Sequence, residues 1–158
     1  MSFLDIDERL LEIAHLIDLV YSPLVDHKEF PGNVDVAFVE GAVTNEDDYN
    51  KIKLVRNNTK LLVALGDCAV TANVPSMRNL FSLDELYGRA YLENVNTQAQ
   101  VPDENIPPLR KSTQPVHEVV AVDLHVPGCP PNPDHIFFVV SELLAGRIPD
   151  LGKVVRFG

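Results

Sequence analysis

Five consecutive apolar residues, Leu61-Leu62-Val63-Ala64-Leu65, constrain the fold of this chain more than any other stretch. A strand with one wet face alternates apolar and polar residues, whereas a continuous run needs cover on both faces. Helices supply that cover when strands run parallel, so the run predicts the centre of an α/β sheet. Val34 to Val39 reads as a second buried strand, ending at Glu40-Gly41, and Val119 to Val126 as a third. The stretches between them read as helices. Thr44 and Asp47 form a capping box for a helix from Asn45 to about Asn57, with Tyr49, Ile52 and Val55 inward. Val74-Pro75-Ser76 opens a short segment through Leu80, and Ser82 caps a helix from Leu83 to about Glu93. Asn132 caps a last helix, with Pro133 at its first position, Ile136, Val139, Val140 and Leu143 inward, and Gly146 as its stop.

The chain opens with a helix. Ser2 and Asp5 make its capping box, and Leu10, Ile13, Ile17, Val20 and Tyr21 fall on one stripe, with Leu16 at its edge, before Ser22-Pro23 ends it. Asn94 to Pro115 carries four prolines and reads as a long surface connection. The whole is helix, strand, helix, strand, helix, strand, helix: an open parallel α/β sheet in one domain spanning 1–158. Three strands are few for that architecture, and no strand precedes the first helix.

Charge narrows the partners. With 13 basic and 23 acidic residues the net charge is -10, which argues against nucleic acid and against an anionic membrane surface. No apolar run reaches the length of a membrane span, and no secretory signal opens the chain. Two cysteines make no disulfide framework, so the expected compartment is the cytoplasm.

Ligands in open α/β sheets gather beyond the carboxyl ends of the strands. Glu40, Cys68 and Cys129 each occupy such a position. In Val126-Pro127-Gly128-Cys129-Pro130-Pro131, three prolines fix φ and remove N–H donors, and Gly128 permits close approach. The product is a stiff loop presenting a thiol, read either as a metal ligand or as a rigid turn with a packed cysteine. Cys68, in Gly66-Asp67-Cys68-Ala69, has the same two readings, plus that of an activated nucleophile, for which no Cys-His signature is present. The thiols lie 61 positions apart, so only the fold brings them together. Zinc held with His117, His125 or His135 fits no compact ligand spacing. Glu40 reads as a turn cap or a proton relay, Asp67 as a turn former, and Arg78 as a solvated cation or a contact to a partner or phosphate. There is no Gly-rich nucleotide loop.

Taken together, Ser2-Phe3-Leu4-Asp5-Ile6-Asp7-Glu8-Arg9-Leu10, Val39-Glu40-Gly41, Gly66-Asp67-Cys68-Ala69-Val70, Val74-Pro75-Ser76-Met77-Arg78-Asn79 and Val126-Pro127-Gly128-Cys129-Pro130-Pro131 resemble the small subunit of cytoplasmic NAD-linked NiFe hydrogenases. That superfamily also contains the small cluster-bearing subunit of respiratory complex I. The resemblance implies a flavodoxin-like domain and a proximal 4Fe–4S cluster with Cys68 and Cys129 as its third and fourth ligands. It places Glu40 near that cluster. It also implies a NiFe large subunit and flavin/NAD diaphorase subunits as partners, between which electrons pass, with flavin mononucleotide (FMN) as an optional cofactor. The family's first strand ends in Cys-x-x-Cys just before the stretch that begins here at Met1. The resemblance therefore implies an N-terminally incomplete sequence, in which that strand would lie between Val34–Val39 and Leu61–Leu65. A complex I-like subunit near a quinone and a cluster-free docking subunit are the competing readings.

Overall fold

The run Leu61–Leu65 is indeed the centre of the sheet in the computed structural model, which describes residues 3–22 and 28–153. Strand β1 (Val34–Glu40), β3 (Thr59–Leu65) and β5 (Leu124–Val126) form a parallel sheet in the order β1-β3-β5. The pleat of β3 sends Val63 and Leu65 to one face and Leu62 and Ala64 to the other, and all four are buried. Burying each larger side chain stabilises the fold by about 1.5–3 kcal/mol.

Each face has its own helical layer. On one, Val63, Leu65, Leu124 and Val126 pack with Ile13 of α1 (Arg9–Ala14) and with Ile136, Val139 and Val140 of α5 (Pro133–Leu144). On the other, Ala37, Leu62 and Ala64 pack with Ile52 and Val55 of α2 (Glu46–Asn57) and with Ala69 and Val70 of α3 (Asp67–Thr71). This is the doubly covered parallel sheet that the apolar run requires. Asn132 caps α5 as expected, its side chain accepting from the Asp134 N–H at 2.8 Å.

Four expectations need correction. The first helix is short: a 3-10 turn (Leu4–Ile6) and then α1, which stops at Ala14 rather than near Tyr21. Ile17, Val20 and Tyr21 are weak helix formers, and Leu16, Ile17 and Val20 are exposed, with no core to pay for their order. Ser2 of the expected cap lies outside the described residues. The cap of α2 is Asn45, whose side chain accepts from the Asp48 N–H at 2.8 Å, while the Asp48 carboxylate accepts from the Thr44 N–H and hydroxyl. Asn caps as well as Thr, so the cap lies one residue later than read, without a reciprocal box.

The surface connection ends in a strand. Leu109–Gln114 (β4) pairs antiparallel with Val43–Asn45 (β2), a two-stranded ribbon beside the main sheet. Arg-Lys-Ser-Thr within β4 is too polar to announce itself. The segment Val74–Leu80 is a 3-10 helix that clamps this ribbon: Arg78 Nη2 donates to the Thr44 and Arg110 carbonyls at 2.9 and 3.0 Å. Asn79 exchanges two bonds with the Thr113 backbone, at 2.8 and 2.7 Å. The helix after Ser82 is α4 (Leu83–Tyr87), closed by a Ser82–Glu85 capping box and continued by a π-helical turn, Gly88–Glu93.

The third strand is also shorter than read, beginning at Leu124. Asp123 just before it accepts from the Leu62 N–H at 2.7 Å and pairs with Arg56 at 2.6 Å, stitching β5, β3 and α2 together. Finally, β1 and β3 pair directly, from Val34↔Thr59 to Glu40↔Leu65. Among the described residues no strand lies between them. The outer side of β1 is an edge of the described sheet.

Candidate functional site

The register sets the site. Glu40 is level with Leu65, and Leu65 with Val126, so the three strands end on one line. Cys68 and Cys129 each lie three residues past such an end, Cys68 in the first turn of α3 and Cys129 in the loop before α5, leaving the same edge of the sheet.

Those two segments are bonded to each other. The Gly66 N–H donates to the Val126 carbonyl at 2.7 Å, and the Asp67 N–H to the Gly128 carbonyl at 2.8 Å. In return the Gly128 N–H donates to Asp67 Oδ1 at 2.6 Å. Asp67 is therefore a clamp between the thiol loops rather than only a turn former. Glycine is required at 128: φ is +137°, and a Cβ there would lie 2.4 Å from Pro131 Cα and 2.8 Å from the Pro130 carbonyl. The Cys129–Pro130 peptide is cis.

Both cysteines are free thiols, Cys68 half-buried and Cys129 exposed. Burial pushes the Cys68 thiol above its ordinary pKa, and the neighbouring Cys129 and Asp67 push it further. A raised pKa opposes a nucleophilic role, which needs thiolate. A bound cation would reverse the shift, since metals hold cysteine as thiolate.

Other residues read from the sequence fall out differently. Glu40 is exposed at the same edge, one strand from Leu65. Arg78 is a half-buried clamp on two carbonyls, not a solvated cation. His117 and His125 face each other with ring centroids 5.7 Å apart, and burial followed by the His117 charge lowers the His125 pKa. Among the described residues, no three His, Cys, Asp or Glu side chains converge as a metal site, so neither zinc nor a complete cluster site is assembled. The thiol pair supplies half of the four ligands a 4Fe–4S cluster takes. Among the described residues, no helix is long and apolar enough to cross a membrane. The clamp by Asp67 was missed in the sequence; its only signal is an acidic residue fixed between a buried strand and a cysteine.

Known proteins resemble this chain along most of its length. A family model described as NADH ubiquinone oxidoreductase, 20 Kd subunit, matches residues 1–143. The delta subunit of the NAD-reducing hydrogenase HoxS of Cupriavidus necator is 40% identical over 161 residues, covering 99% of this chain and 77% of that protein. A subunit of the F420-non-reducing hydrogenase vhu of Methanocaldococcus jannaschii is 36% identical, over 96% of this chain and 53% of its own length. The chain thus spans about half of that relative. Among solved structures, a chain of an NAD+-reducing NiFe hydrogenase in the H2-reduced state superposes with a TM-score of 0.90 and 34% identity, covering 100% of this chain and 90% of that one. A NiFeSe hydrogenase chain from Desulfomicrobium baculatum, at a TM-score of 0.52 and 19% identity over 94% of this chain and 60% of its own, shares the fold.

Proposed function

The chain belongs to the family of the NADH ubiquinone oxidoreductase 20 kDa subunit, which the small subunits of NiFe hydrogenases share, and on that premise we propose that it is the electron-transfer small subunit of an NAD-linked NiFe hydrogenase. Cys68 and Cys129 hold the proximal 4Fe–4S cluster as two of the four ligands such a cluster takes. The observation that supports this reading is the hydrogen bonding between the start of α3 and the Pro127–Pro131 loop, the two cysteine-bearing segments just beyond the level ends of β3 and β5. The names of the relatives support it: they differ in acceptor, NAD-reducing against F420-non-reducing, and share hydrogenase. The partners are accordingly a NiFe large subunit and diaphorase subunits that pass electrons to NAD.

A bound cluster supplies one-electron redox chemistry. The chain's own residues make the seat stiff. Pro127, Pro130 and Pro131 restrict the loop carrying Cys129, and Asp67 ties it to the start of α3, which carries Cys68. A seat that moves little when charge arrives or leaves keeps the reorganisation cost of electron transfer low. Cys68, half-buried, and Cys129, exposed, set the site at the surface, where a partner reaches it. Glu40, at the same edge, is the candidate for accompanying proton movement.

The test is on the purified complex. Hydrogen-dependent reduction of NAD, together with iron and acid-labile sulfide, is expected. Quinone reduction without NAD reduction would move the chain to the complex I-like reading. Absence of iron and sulfide would leave a docking subunit whose cysteines only pack.

A further inference from the structure

We propose that His117 and His125 form a binding site for one divalent metal ion of the zinc, nickel and copper class, held between the two imidazoles and completed by water. The site goes beyond the electron-transfer reading and does not depend on it. The rings come from different elements and meet with their centroids 5.7 Å apart and their planes at 67° to each other. An ion bound to one nitrogen of each imidazole lies about 2.0–2.1 Å from each nitrogen, and so about 3.2 Å from each ring centre. At a nitrogen–metal–nitrogen angle between about 110° and 130°, the ring centres are then about 5.2–5.8 Å apart. The observed separation falls inside that range, so side-chain rotation alone aims the nitrogens at a shared ion.

The backbone holds both residues in place. Leu124 and Val126 face the layer of α1 and α5, so His125 between them faces the opposite layer, level with Ala64 of β3. Val116 is fully buried in that second layer. The turn Val116–Glu118 is closed by the Glu118 N–H on the Pro115 carbonyl at 3.2 Å and by the Val119 N–H on the Val116 carbonyl at 3.0 Å. That turn carries His117 out to solvent, while His125 stays half-buried. A seat built on a strand and an anchored turn needs little reordering when an ion arrives.

The ring nitrogens are available to ligate. Among the described residues no hydrogen bond reaches either imidazole, and the buried unpartnered side-chain nitrogens and oxygens are those of Thr59, Arg78, Arg110 and Thr113. The His125 nitrogens are therefore open to solvent. Burial first, and the His117 charge second, lower the His125 pKa, which keeps this ring in its neutral, ligating form at neutral pH. Imidazole selects zinc, nickel or copper, whereas magnesium and calcium take oxygen ligands. Glu118 puts a carboxylate on the same turn as His117, and the net charge of -10 concentrates cations around the protein. Two protein ligands with water make an open site, unlike a closed four-ligand zinc site, for which no third His, Cys, Asp or Glu converges among the described residues.

The test titrates Zn²⁺ into the purified complex, as wild type and with His117→Gln, His125→Gln or both. Binding is followed by calorimetry and folding by far-UV circular dichroism. The readout is the difference between wild type and the histidine variants, so zinc taken up elsewhere in the complex cancels. One bound ion per copy of this chain is expected to disappear from the double variant. Either single variant should bind that ion at least about tenfold more weakly, a lost ligand costing no less than a lost outer-shell partner. Mg²⁺ in place of Zn²⁺ should show no difference between wild type and variants. His117→Gln, at the exposed position, keeps the comparison informative if His125→Gln disturbs β5. The same Zn²⁺ stoichiometry and affinity in wild type and in folded His117→Gln overturn the proposal. A Mg²⁺ difference as large as the Zn²⁺ one also overturns it, because the histidines would then act through the fold and not as ligands.

Discussion

Replacing Asp67 tests the clamp between the thiol loops. Its carboxylate accepts the Gly128 N–H at 2.6 Å, a short charge-assisted bond, while its own N–H donates to the Gly128 carbonyl at 2.8 Å. Asp67→Ala keeps the second bond and removes the first, leaving a part-buried N–H without its acceptor. Such a loss costs about 1–3 kcal/mol. For a chain of 158 residues that corresponds to a fall in Tm of about 2–12 °C. Asp67→Asn retains an oxygen acceptor and should lose less than half as much. The assay is thermal unfolding of the purified protein, followed by iron retention in the complex. Because the clamp orients both cysteines, Asp67→Ala should lose iron faster on dilution into chelator than wild type, with Asp67→Asn between them. A Tm within about 1 °C of wild type, together with unchanged iron loss, would refute the clamp.

Three further perturbations separate site from scaffold. Gly128→Ala places a Cβ against Pro131 Cα at a φ of +137°, so it should cost upward of about 1–3 kcal/mol and strip iron from the complex. Retention of both stability and iron would contradict the geometry. Asp123→Ala removes the acceptor of the Leu62 N–H and the partner of Arg56 at the other end of β5, and should destabilise by about 1–3 kcal/mol with iron per folded complex unchanged. His125 is held below its ordinary pKa by burial and by His117, so the unfolded chain takes up a proton first as pH falls below about 6.5. Stability therefore drops with falling pH in that range, and His125→Gln should flatten the urea-denaturation profile between about pH 7 and 5. An unchanged slope would count against it.

The sheet was legible because burial on both faces leaves an unmistakable pattern at Leu61–Leu65, and α5 because cap, proline and apolar spacing agree. What the sequence hid was held by other means. The ribbon strand Leu109–Gln114 is polar and owes its place to Arg78 and Asn79, 32 and 34 positions from the backbone carbonyls they hold, whose bonds leave no periodic trace. The first helix was overextended because an apolar stripe continues past Ala14 in sequence where no core continues in space. At the site, both cysteines and their place beyond strand ends were readable from the sequence. The register that makes those ends level, and the Asp67 bond that joins the loops, belong to the tertiary fold.

The most direct measurement is electron paramagnetic resonance, with iron analysis, on the reduced complex carrying Cys68→Ser and Cys129→Ser together. Ligation by this pair predicts loss of one 4Fe–4S signal and of about four iron atoms per complex, with the large subunit still bound. A spectrum and iron content identical to wild type would contradict it.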